Sequence, residues 1–220
     1  MMTNLFSTFD PATSMKMTMN WTSSMTCMML IPLSFWNMPN RIDIMTKNIM
    51  IKLHNEFKNL MGQNSNGMTL MMISMFMMIL INNIMGLLPY IFTSSSHLVF
   101  SMTMALPMWI SLMLFGWINK TNHMFAHMIP TGTPKLLMPF MVMIETISNI
   151  IRPGSLSVRL TANMIAGHLL MSLLGNSMNN NMMPLIIMIQ MMLMLFESAV
   201  ALIQAYVFSV LSTLYSSEIM

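Results

Sequence analysis

Hydrophobic positions run along this chain in long blocks separated by short polar breaks, and the blocks have the length of membrane-spanning helices rather than of strands. The first, residues 21–38, lies between Trp21 and a stop at Pro39 and Asn40, and is just long enough to cross a bilayer core. Over residues 41–61 the pattern changes. Ile42, Met45, Ile49, Leu53, Phe57 and Leu60 recur at helical spacing, while Asp43, Lys47, Lys52, Glu56 and Lys58 occupy other faces. This predicts an amphipathic helix on the membrane surface, although a solvated helix against a partner subunit carries the same pattern.

Blocks 68–92 and 97–118 follow, joined by an uncharged turn at 93–96, and predict a transmembrane helical hairpin over 68–118. A loop with Lys120, His123, His127 and Lys135 comes next. The last two blocks, 135–175 and 184–217, exceed the roughly 20 residues that a ~30 Å hydrocarbon core requires, so both helices should be steeply tilted or curved. Pro153 and Gly154 are expected to kink or interrupt the first of them. The predicted fold is therefore all-α and polytopic. It has an N-terminal segment (1–20), a first transmembrane helix (21–38), the surface helix (41–61), the hairpin (68–118) and a tilted hairpin (135–217), with five membrane crossings.

Charge sets the orientation. Residues 41–58 and 120–135 collect six of the nine Lys and Arg, whereas the turn 93–96 and the linker 176–183 have none. Both basic segments should face the inner compartment, which leaves the N-terminus outside and the C-terminus inside.

Composition narrows the class further. Only 7% of side chains are charged, against roughly 25% in soluble domains. A bilayer accommodates such a surface because lipid-facing positions need no charge. Nine scattered basic residues do not make a phosphate-binding stripe, so nucleic acid is not an expected partner. The single cysteine, Cys27, cannot form an intrachain disulfide and reads as a small apolar filler. The first residues lack a basic, then apolar, leader pattern, and insertion without a cleaved targeting segment is expected. Methionine, at 38 residues, occupies ordinary apolar positions and reads as a generic hydrophobe rather than as a soft-metal box.

Charged groups inside apolar spans cost about 2.5–3.5 kcal/mol each on insertion scales. Here Glu145, Arg152, Arg159 and Glu197, with His168, fall in the last two blocks. Glu145, Asn149 and Arg152 share a helical face, and Arg152, Leu156, Arg159 and Asn163 continue it at similar steps. On the final block Glu197, Ala201 and Gln204 share another, with Ser198, Ala199 and Ala205 leaving room for close helix approach. Carboxyl and imidazole groups take up and release protons, whereas a guanidinium stays charged. Arg159 among the titratable Glu145, His168 and Glu197 would thus be a barrier with a relay on either side. Protons would pass it only on a mobile acid supplied by a partner. Two structural readings stand beside this one: in the first Arg159 and Glu197 pair internally, and in the second Arg152 caps a helix end or touches lipid headgroups. The histidines His97, His123 and His127 read as loop residues rather than metal ligands.

Residues 157–168 (SVRLTANMIAGH) and 197–208 (ESAVALIQAYVF) resemble the subunit a family of mitochondrial ATP synthases. The runs 4–11 (NLFSTFDP), 86–90 (GLLPY), 145–148 (ETIS) and 151–153 (IRP) add to the likeness, which extends end to end. The resemblance implies a stator subunit whose two tilted helices pack against a rotating ring of c subunits, each with an essential carboxylate. Arg159 then matches the arginine that faces that carboxylate and separates two aqueous half-channels, with Asn163 and Gln204 as polar neighbours. His168 and Glu197 match the half-channel to the intermembrane space, and Glu145 the one to the matrix. Location in the mitochondrial inner membrane, other membrane-sector partners (subunit b and an 8-like subunit) and a dimeric complex are also implied, with no cofactor. Two other classes remain: a structural membrane anchor and a proton-coupled subunit of another respiratory complex. No phosphate-cradling glycine loop or nucleotide motif is visible, so the chain by itself should not make ATP.

Overall fold

The structure, a computed structural model, describes residues 5–14, 17–31, 38–62, 67–129, 132–177 and 182–219. Among them the fold is all-helical. Seven α-helices appear in order: α1 (Thr22–Thr26), α2 (Arg41–Met61), α3 (Met68–Gly86), α4 (Leu98–Asn119), α5 (Thr121–His127), α6 (Met138–Asn176) and α7 (Met183–Ile219). Four of these, α3, α4, α6 and α7, are long and apolar enough to cross a membrane.

The expected first crossing at 21–38 falls partly on residues 32–37, which lie outside the described residues. Its described part is no single long helix. A 3-10 turn at Met19–Trp21, the short α1 and another 3-10 turn at Cys27–Leu30 follow one another there.

At about 1.5 Å per residue, the 39 residues of α6 and 37 of α7 reach roughly 58 and 56 Å, well beyond a ~30 Å core. Pro153 does not interrupt α6, which passes through it as one continuous helix. The ring removes one backbone donor, and the first turn beyond it is stitched by side chains, with Ser155 Oγ donating to the Arg152 carbonyl at 3.0 Å and Ser157 Oγ to that of Gly154 at 2.8 Å.

The bundle is built around α7. This helix packs along α3 and α2 and against α6, while α4 lies along α6. The shared core contains Phe57 from α2, Met72 and Phe76 from α3, Met108 and Leu112 from α4, Leu156 and Leu160 from α6 and Phe208 from α7. The apolar seam of α2 is divided: Leu53 and Phe57 are buried in this core, whereas Ile42, Met45, Ile49 and Leu60 are exposed.

Polar groups stitch the apolar helices together. Asn82 Nδ2 donates to the Met78 carbonyl at 3.0 Å and its Oδ1 accepts from Ser94 Oγ at 3.4 Å, while Asn83 Nδ2 reaches the Ala201 carbonyl of α7 at 3.5 Å. On α7 the hydroxyls of Ser209, Ser212, Thr213 and Ser216 are all buried, and each donates to the carbonyl three residues earlier. The oxygens of Ser212 and Ser216 also lie 3.2 Å from Met72 Sδ and 3.3 Å from Met61 Sδ. The N-terminal turns are fastened to the 87–97 connection by Trp21, Phe92 and His97, whose ring centroids are 5.2–5.7 Å apart.

Candidate functional site

Helices α6 and α7 run antiparallel, since Arg152 meets Glu218 and Gly167 meets Glu197. Their ionisable groups fall at three levels between a proximal end, where α6 starts and α7 finishes, and a distal end, where the two are joined.

At the proximal level Arg152 binds two carboxylates. Its Nη2 donates to Glu145 Oε1 and its Nη1 to Glu218 Oε2, both at 3.2 Å. The guanidinium also lies 5.0 Å above the Tyr215 ring centroid, within cation–π range. Glu145 reaches Arg152 because seven residues make almost two helical turns; Glu218 reaches it from the other helix. The side chains are only partly buried, at 26% exposure for Arg152 and 42% for Glu218, so water screens these pairs. Arg152 is thus an inter-helix tie between α6 and α7. Glu145, Asn149, Arg152 and Glu218 line a cleft of ≈ 460 Å³ between α4, α5, α6 and α7.

Arg159 occupies the middle level, about 10 Å along α6 from Arg152. It is exposed, and among the described residues no carboxylate pairs with it. Leu156, by contrast, is buried. The polar stripe expected through Arg152, Leu156, Arg159 and Asn163 therefore divides: Leu156 turns inward with Ser157, Leu160 and Thr161, while Arg159 and Asn163 share the outer surface with Ala162 and Ala166.

The distal level lies about 12 Å beyond Arg159. Here Glu197 is buried, and neither carboxylate oxygen has a hydrogen-bond partner among the described residues. It packs on Gly167, where a Cβ would come within 2.7 Å of Glu197 Cδ and Oε1. His168 is half-buried with Nε2 unpartnered, and Phe9 meets the imidazole edge-on with ring centroids 6.2 Å apart. Farther along α7 toward the proximal end Ala201 and Ala205 are buried, and Gln204, about 10 Å from Glu197 and so level with Arg159, is half-buried. Arg159 and Glu197 do not pair, which removes the internal ion pair as an account of either charge.

The residues singled out from sequence thus separate into a proximal group (Glu145, Arg152), a middle surface (Arg159, Asn163) and a distal group (His168, Glu197). Sequence reasoning missed Glu218, Tyr215, Gly167 and Phe9. The available signal for Glu218 was its place: an acid at the end of the last apolar block, level with Glu145 once the two helices run antiparallel. No three residues among the described His, Cys, Asp and Glu gather as metal ligands.

These features define an all-helical, membrane-spanning protein with ionisable groups set into its two longest helices. The chain belongs to the ATP synthase A chain family, whose pattern matches residues 4–217. It is 62% identical over 224 residues to ATP synthase subunit a of Locusta migratoria. The identity is 59% over 225 residues to that of Anopheles quadrimaculatus and 58% over 223 to that of Drosophila melanogaster. Each match covers 100% of both chains. The family resemblance read from residues 157–168 and 197–208 is upheld.

Proposed function

We propose that this chain is the proton-translocating stator subunit of the ATP synthase membrane sector. It offers two offset half-channels to the carboxylates of a rotor ring and is not itself the subunit that makes ATP. The observation carrying this reading is the position of Arg159, an exposed cation that pairs with no carboxylate among the described residues, between two levels that hold titratable groups. A guanidinium on the outer face of α6 attracts a partner's carboxylate yet cannot hand on a proton. Ala162, Asn163 and Ala166 beside it let a neighbouring helix approach closely. Protons would load and unload the rotor acid on opposite sides of Arg159, through His168 and Glu197 at the distal level and Glu145 at the proximal one, with Gln204 as a polar neighbour.

A proton crossing the membrane supplies about 2.3 kcal/mol per 100 mV. That work turns a rotor only when the two levels do not exchange protons directly. The basic residues of 41–58 and 120–135 support a proximal end facing the matrix and a distal end facing the intermembrane space. A fifth crossing at 21–38, steep tilt of α6 and α7, the mitochondrial inner membrane, further stator partners and a dimeric complex belong to the same reading.

The test is Arg159→Ala in the assembled complex. ATP-driven proton pumping and ATP synthesis should both be lost while the complex still assembles, and near-normal synthesis would refute the assignment. A structural anchor is the second reading, favoured by the Arg152 ties to Glu145 and Glu218. It requires instead that proton flux per assembled complex be unchanged in this variant.

A further inference from the structure

The proximal cleft contains one ionisable side chain that no role so far uses. Its charged and titratable lining is Glu145 and Arg152 from α6, Tyr215 and Glu218 from α7, and His127 from α5; α4 contributes no charge. His127 is held there by packing. Met124, one turn earlier, is buried against Gly116 of α4, where a Cβ would lie 3.0 Å from Met124 Sδ and 2.8 Å from Ile219 Cγ2. The bare backbone of Gly116 thus lets α5 dock under the end of α7. On α5 itself His123 stands one turn before His127, with ring centroids 6.4 Å apart, and both residues are exposed.

Within the cleft the two carboxylates share one guanidinium, and a guanidinium does not relay protons. A proton moving between these acids and water is served by an exposed base that lines the same cleft, as His127 does, and imidazole is the side chain suited to that exchange. We infer that His127 is the proton-exchange group at the mouth of the proximal cleft, with His123 as the next step toward water. A carboxylic O–H of Glu145 or Glu218 breaks as an imidazole N–H forms. The imidazolium then releases its proton to solvent or buffer, and no electrons are transferred. The reverse sequence takes protons up. This inference rests on the proposed proton path through the cleft.

The experiment uses the whole complex in sealed vesicles, with ATP-driven pumping measured while the aqueous phase on the cleft side holds little or ample imidazole buffer. His127→Gln should lose pumping rate at low buffer and regain it when free imidazole is added. His123→Gln should show a smaller loss with the same recovery. Wild-type rate for His127→Gln at low buffer overturns the inference, and so does a loss that imidazole does not repair, which would mark a structural role. Arg159→Ala in the same preparation keeps the two ideas apart. Pumping retained there sinks the proton path as a whole, whereas pumping lost there with His127→Gln unaffected sinks only the role of His127.

Discussion

Glu197 of α7 lies against the bare backbone of Gly167 on α6, so close that a single added methyl carbon would stand 2.7 Å from its carboxylate. The glycine thereby makes the space in which a buried acid sits. Gly167→Ala should leave α6 intact, since Ala is the better helix former by roughly 0.5–1 kcal/mol. The overpacking, typically about 1–3 kcal/mol, would be relieved by displacing the carboxylate. Assembly should persist while ATP-driven pumping falls. Wild-type pumping in the assembled Gly167→Ala complex would show that the exact seat of Glu197 is unimportant.

Arg159→Lys separates charge from permanence of charge. An ammonium on a flexible stem attracts a rotor carboxylate but can deprotonate in apolar surroundings, which a guanidinium does not. ATP synthesis should fall between that of wild type and Arg159→Ala, and passive proton leak should rise above the wild-type level. Full synthesis without added leak would contradict the barrier role.

Asn83 is 0% exposed and joins α3 to the Ala201 carbonyl of α7. Polar contacts between membrane helices average about 0.6 kcal/mol and reach about 1.7 kcal/mol. Asn83→Ala should lower the thermal stability of the membrane sector by an amount in that range. Asn83→Asp, which places a charge where the carbonyl of Ala201 already presents negative density, should cost more. An Asp variant as stable as Ala would argue against the contact.

The Arg152 ties invite a double-mutant cycle. Arg152, Glu145 and Glu218 are partly exposed, so each pair should couple by no more than about 1 kcal/mol. Arg152→Ala, Glu218→Ala and their combination, compared by thermal inactivation of the assembled complex, measure that coupling. A value of several kcal/mol would mean that this end of the bundle is far drier than the exposures indicate.

Much of the fold could be read from period and block length. The amphipathic 41–61 helix, the hairpin and the two overlong C-terminal helices follow from where apolar runs stop; α2, α4, α6 and α7 lie within about three residues of those limits, whereas α3 ends at Gly86, short of the expected 92. What periodicity cannot reveal is which way each face turns. Arg159 and Leu156 are three residues apart, near neighbours on a helix, yet one faces outward and the other enters the core because α4 covers only one side of α6. Long-range pairing was equally hidden: Glu218 lies 66 residues from Arg152, and Phe9 is farther still from His168. Such contacts depend on how helices are arranged in space, and no local pattern records that. The break expected at Pro153 is absent, since α6 continues through it as one helix.

The row of hydroxyls on α7 bears on how the chain enters a bilayer. Ser209, Ser212, Thr213 and Ser216 each find an acceptor on their own helix, one turn back. None needs a neighbouring segment to avoid a stranded donor in hydrocarbon. The last helix can therefore be threaded into lipid as an independent rod and dock onto its companions afterwards, its sticky surface muted until the methionine sulfurs of Met61 and Met72 arrive beside it.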